Sequence, residues 1–170
     1  MSGTTTRASA ILVTGMSGTG KSTVLAELAR RGHRVVDTDD PGWIVDVDTP
    51  DGAGSVGTEP MWDLGRMGAL LAEPRTRHLF VAGCVANQGA LYDRFDAVVL
   101  LSAPLPVVLA RVADRANPYG STPQDRERIT ADLAAFEPLL RAGADHEVVT
   151  TVPVAQVADR LERLLVPRTV

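Results

Sequence analysis

Short apolar runs alternate with longer amphipathic stretches along the chain. "AILVT" (10–14) is apolar and β-branched and reads as a buried strand. "STVLAELARRG" (22–32) follows, with Val24, Leu25 and Leu28 at helical spacing and Gly32 to close it. "RVVD" (34–37), "HLFVAG" (78–83), "DAVVLLSAP" (96–104) and "EVVTT" (147–151) read as four further strands. "MWDLGRMGALLAE" (61–73), "LPVVLARVADR" (105–115), "PQDRERITADLAAFEPLLRAG" (123–143) and "VAQVADRLERLL" (154–165) read as helices, and "NQGALYDRF" (87–95) as a short helix or loop. Ser121 or Thr122 opens the long helix, with Pro123 in its first turn. Residues 46–60, "DVDTPDGAGSVGTEP", are acidic and are expected to form a loop. "ANPYGSTP" (116–123) is a turn-rich break. Strands that alternate with helices predict an α/β fold, a five-stranded parallel sheet with helices on both faces. In such sheets ligands bind beyond the carboxyl ends of the strands.

The break between the first strand and the first helix changes the picture from architecture to chemistry. Gly15, Met16, Ser17, Gly18, Thr19, Gly20, Lys21 and Ser22 match G-x-x-x-x-G-K-[ST], in the strand–loop–helix setting that the motif requires. Glycines let successive backbone N–H groups turn inward around phosphate oxygens, and the helix N-terminus adds partial positive charge. Lys21 brings a point charge to the outer phosphates, and the Ser22 hydroxyl is a ligand for Mg²⁺, with Thr23 behind it. Lys21 is the only lysine in the chain; the other 16 of 17 basic residues are arginines. The planar fork of an arginine suits a narrow phosphate cradle less well.

Composition bounds the rest. The 170 residues suit a single domain over 10–170, behind a polar segment 1–9, "MSGTTTRAS", that reads as disordered. A net charge of −4 implies no general nucleic-acid-binding surface. The single cysteine, Cys84, suits a reducing cytoplasm and reads as a small buried hydrophobe at a strand end. No apolar run is long enough to span a membrane. His33, His78 and His146 are scattered and read as structural.

"GMSGTGKSTVLAELARRGHRVVDTDD" resembles the N-terminal part of small-molecule kinases of the shikimate kinase and gluconate kinase type. The resemblance implies a P-loop NTPase fold with a short lid, here about 115–124, and dependence on ATP and Mg²⁺. In that family a strand one helix after the loop ends D-x-D, which falls on Asp37 and Asp39. The first carboxylate helps hold Mg²⁺ through water; the second binds the acceptor hydroxyl and takes its proton. "AVVLLSAPLPVVLARV" is similar to the family's fourth strand and next helix, whose adenine-stacking arginine falls on Arg111. "TTVPVAQVADRLERL" is similar to the last strand and helix, where the proline on the other adenine face is Pro153. Arg115 is the candidate for the lid arginine that meets the transferring phosphate.

The acceptor region departs from the family. The triple glycine after the third strand falls on "AGC", and the arginine of the long helix falls on Phe136, followed by Glu137. Arg66 in "WDLGR" is a candidate replacement. Asp39, Asp40, Trp43, Arg66 and Glu137 are therefore the candidate acceptor residues. Without an arginine cluster for a carboxylate, the expected acceptor is a neutral or cationic small molecule bearing a hydroxyl, not shikimate. Two alternatives stand beside this reading: a nucleoside or nucleotide kinase, and a non-catalytic ATP-binding regulator. The oligomeric state, monomer or dimer, is left open.

Overall fold

In the computed structural model, the described residues are 6–50, 56–115, 120–165 and 168–169. The elements in chain order are β1 (Thr6–Arg7), β2 (Ala10–Thr14), α1 (Lys21–Arg30), β3 (Arg34–Asp37), β4 (Ile44–Pro50), β5 (Val56–Trp62), α2 (Leu64–Ala72), β6 (Leu79–Ala82), a 3₁₀ helix (Gln88–Arg94), β7 (Ala97–Ser102), α3 (Leu105–Ala113), α4 (Pro123–Gly143), β8 (His146–Val149), α5 (Val154–Glu162) and β9 (Arg168–Thr169). Five of the strands form one parallel sheet, ordered β3-β6-β2-β7-β8. These are the five strands expected from the apolar runs.

Successive side chains on a strand point to opposite faces, and both faces are covered. Ile11 and Val13 of β2 pack with Phe80, Val99 and Leu101 under Val24, Leu25 and Leu28 of α1 and Val157 and Leu161 of α5. Ala10 and Leu12 face the other way, with Leu79, Val81 and Val98, under Met67, Leu70 and Leu71 of α2 and Leu91 of the 3₁₀ helix. A smaller cluster of Val108, Val112 and Ile129 seats α3 on α4. Every residue of β2, β6 and β7 is buried, which explains why these strands read as unbroken apolar runs. Thr122 is the residue that caps α4, in a reciprocal capping box with Asp125.

Three expectations are corrected. Residues 46–50 and 56–60 are strand, not loop: β4 and β5 pair antiparallel, with Ile44 opposite Trp62 and Pro50 opposite Val56, and residues 51–55 lie outside the described residues. Met61 and Trp62 end β5 instead of opening the next helix, which begins at Leu64 behind the Asp63 cap. Residues 6–9 belong to the body: Thr6–Arg7 pairs with Arg168–Thr169, and Ala8 and Ser9 are buried. Residues 1–5 lie outside the described residues.

Candidate active site

The carboxyl ends of β2, β3, β6, β7 and β8 meet along one edge, and the glycine loop rises from β2 at its centre. Gly15 lies against the neighbouring strand, where a Cβ would sit 2.5 Å from the Leu101 carbonyl oxygen and 2.7 Å from Thr19 Oγ1. Only glycine fits there. Thr19, fully buried, closes the loop on itself by donating to the Met16 carbonyl at 2.8 Å. Gly20 caps α1 without a side chain, so the first N–H groups of the helix are left to a ligand. Lys21 Nζ folds back over the loop and donates to the carbonyls of Gly15 (2.6 Å) and Met16 (3.2 Å). Burial lowers its pKa, while Cys84, Asp39 and Asp37 pull it back up.

The two halves of the expected magnesium site are in contact: Ser22 Oγ donates to Asp37 Oδ2 at 3.0 Å. The other Asp37 oxygen accepts from the backbone N–H of Asp39 at 3.1 Å. Thr38, between the two carboxylates, points inward. Its hydroxyl donates to the Ala82 carbonyl at 2.9 Å and accepts from Trp62 Nε1 at 3.0 Å. Gly83 makes room for this, since a Cβ there would lie 2.1 Å from Thr38 Oγ1. With Thr38 anchored, Asp37 and Asp39 are left on the opposite side of the segment, toward Ser22 and Lys21.

On the other flank of the loop is a cavity of about 430 Å³, lined by Gly18, Gly20, Thr23, Arg111, Arg115 and Thr150 among others. Arg111 Nη1 donates to Thr150 Oγ1 (2.8 Å) and to the Gly18 carbonyl (3.3 Å), and Nη2 donates to the Thr150 carbonyl. Thr150 Oγ1 in turn donates to the Thr19 carbonyl at 2.8 Å. Pro153 is exposed at the start of α5, and its neighbours Val152 and Val154 line the cavity. Of the expected lid, residues 116–119 lie outside the described residues. Arg115 at its start lines this cavity, and its charge is felt at Lys21.

The expected acceptor residues separate into two groups. Asp40 and Trp43 line a shallow cleft with Ser22 and Asp37. Arg66 lies over the Trp43 ring, its guanidinium carbon 4.3 Å from the centroid, and donates to the Gly42 carbonyl at 2.6 Å. Glu137 is elsewhere, on α4, where it accepts from Arg141 at 2.8 Å. Its neighbour Phe136 lines a third cavity that reaches Met16 and Cys84. Cys84 is exposed, not buried as its strand-end position suggested. Sequence reasoning missed Thr150 and Thr38. Thr38 is the middle residue of D-x-D and Thr150 stands directly after β8, so position at a strand end was the available signal.

These features define a phosphate-loop α/β protein with a nucleotide cavity and a paired-aspartate strand end. The sequence profile described as "AAA domain" matches residues 11–132, and the chain belongs to that family. No curated protein matches the chain in sequence. Its fold is that of small-molecule kinases. A shikimate kinase from Acinetobacter baumannii, in complex with shikimate, is 20% identical with a TM-score of 0.60, covering 92% of each chain. A shikimate kinase from Bacteroides thetaiotaomicron is 15% identical with a TM-score of 0.62, covering 92% of this chain and 98% of that one. A gluconokinase from Sinorhizobium meliloti 1021 is 22% identical with a TM-score of 0.54, covering 92% and 93%.

Proposed function

We propose that the chain is an ATP- and Mg²⁺-dependent phosphotransferase that moves the γ-phosphate to a hydroxyl of a small molecule other than shikimate. The observation that carries this reading is the Ser22–Asp37 contact at 3.0 Å, beside Lys21 and Asp39. It joins the phosphate loop to the D-x-D strand end, and a turn that merely satisfied its own backbone would not require that junction. The donor set is a hydroxyl and a carboxylate, oxygen ligands suited to Mg²⁺. Ser22 and Asp37 would hold the ion, which would supply positive charge against the charge that develops on the phosphates.

The chain's own groups supply the rest. The backbone of Gly15 to Gly20 and the open end of α1 take the phosphates. Lys21 adds charge where it is redistributed during transfer. Arg111 and Pro153 take the two faces of adenine, and Arg115 meets the transferring phosphate. Asp39 receives the acceptor's proton as that oxygen bonds to the γ-phosphorus and the bond to the bridging oxygen of ADP breaks. We read the chain as one cytoplasmic domain with its acceptor bound on the D-x-D side of the loop.

The test is ADP release across a library of hydroxylated metabolites, repeated with Asp39→Asn. That substitution is expected to keep ATP binding and to lower acceptor-dependent turnover by about 10²- to 10⁴-fold. ATP binding with no acceptor-stimulated ADP release would favour a nucleotide-binding regulator instead.

A further inference from the structure

The third cavity is unlike the other two. It holds about 560 Å³, within the range of small-molecule sites. Its walls come from elements far apart in sequence: Met16 of the loop, Glu59 and Pro60 of β5, Cys84 after β6, Tyr92 of the 3₁₀ helix, and Asp132, Phe136 and Leu139 of α4. Met16 ties it to the reaction centre, because its carbonyl accepts from Lys21 Nζ at 3.2 Å. The cavity therefore opens beside the lysine that faces the outer phosphates.

Its chemistry is lopsided. Phe136 and Leu139 are 51% and 68% exposed, so large apolar side chains face water across it. The polar groups at its floor are already used. The Gln88 amide donates to Thr14 Oγ1 (3.0 Å) and the Tyr92 hydroxyl (2.7 Å), and its oxygen accepts from the Val85 N–H (3.1 Å). Two carboxylates remain in the walls. Among the described residues Glu59 has no ion pair, and Asp132 meets only Arg128, at 4.0 Å on the exposed side of α4. No arginine or lysine lines the cavity among the described residues. Arg66, the one arginine suggested for an acceptor, is held by Trp43 and Gly42 outside it.

We infer that this cavity takes the body of the phosphate acceptor, and that the acceptor is an alcohol with an aromatic or branched apolar body and a cationic amine. The inference rests on the kinase reading above and narrows it. Phe136, Leu139 and Met16 receive the apolar body, Glu59 and Asp132 the amine, and the hydroxyl points out past Met16 toward Lys21 and Asp39. Polyols would leave the apolar walls wet, and a carboxylate would meet two carboxylates with no cation to pair with.

Four probes separate the cases: L-phenylalaninol, its uncharged analogue 3-phenyl-1-propanol, its carboxylate counterpart 3-phenyllactate, and gluconate. With the full chain, ATP and Mg²⁺, phenylalaninol is expected to stimulate ADP release at least about tenfold more, in kcat/KM, than the uncharged alcohol, the scale of one charge-assisted contact. Phenyllactate and gluconate should not stimulate. Asp132→Asn with Glu59→Gln should erase the advantage of the amine and leave ATP affinity unchanged. Phe136→Arg, at an exposed position, should weaken phenylalaninol and admit phenyllactate. A preference for gluconate or phenyllactate in the unaltered protein, or ATP binding with no response to any probe, overturns the inference while leaving the nucleotide site in place. Failure to bind ATP at all would instead overturn the kinase reading.

Discussion

Thr38 is never offered to a ligand, yet it decides where two ligand-facing carboxylates point. Its buried hydroxyl spans the Ala82 carbonyl and the Trp62 indole. Trp62→Phe removes the donor and leaves the buried hydroxyl short of one partner. The expected cost is about 1–3 kcal/mol, read as a lower urea midpoint. Turnover should also fall, because Asp37 and Asp39 lose their anchor. Lys21→Ala belongs to the same scale and separates chemistry from folding. It should lower turnover on the order of a hundredfold or more with an unchanged circular dichroism spectrum; full activity in that variant would remove the basis for the function proposed here. At this scale the loop motif fixed the positions of Gly15, Lys21 and Ser22 by spacing, whereas Asp37 came from the resemblance and stands in contact with Ser22. Thr38, Trp62 and Thr150 were not legible, because their roles depend on partners 24 to 131 positions away that no local pattern announces.

Among the elements, the sheet was readable and the hairpin was not, for one physical reason. The strands of the sheet are covered on both faces, so burial writes an apolar run into the sequence. The β4–β5 arm stands largely in water: Val45, Val47 and Val56 are exposed, and acids and prolines sit between them. Asp46, Asp48, Pro50, Gly57 and Pro60, which propensity counts against a strand, interrupt its β-branched residues. Arg111 stands in the last turn of α3, held by Thr150 and Gly18 in the nucleotide cavity. Arg111→Ala is expected to raise the KM for ATP about fivefold, equivalent to one stacked cation at about 1 kcal/mol. The KM for the acceptor should stay where it is, and an equal rise in both would argue against an adenine role.

The whole molecule is acidic, and two of its carboxylates are tied to arginines. Glu27 accepts from Arg30 and Arg31, and Glu147 from Arg141 and Ser102; each is drawn down from 4.5 to about 2. A carboxylate whose folded pKa is depressed stabilises the fold fully above its ordinary pKa. That stability is lost as pH falls from about 4.5 through about 2. Chemical denaturation midpoints should therefore hold steady from neutrality to about pH 5 and then decline. Glu147→Gln should flatten part of the decline. A midpoint independent of pH between 5 and 2 would show that these pairs contribute nothing.

The lone lysine has a consequence for labelling. Lys21 carries the chain's only ε-amine, and its pKa is lowered by burial against the loop. Burial disfavours its charged form, which favours reaction with an amine reagent. A small amine-acylating reagent therefore has a single lysine to find, the one in the phosphate loop. A bound nucleotide should shield it. The yield of the Lys21 adduct, read by peptide mapping, then reports directly how full the phosphate site is, with no acceptor required.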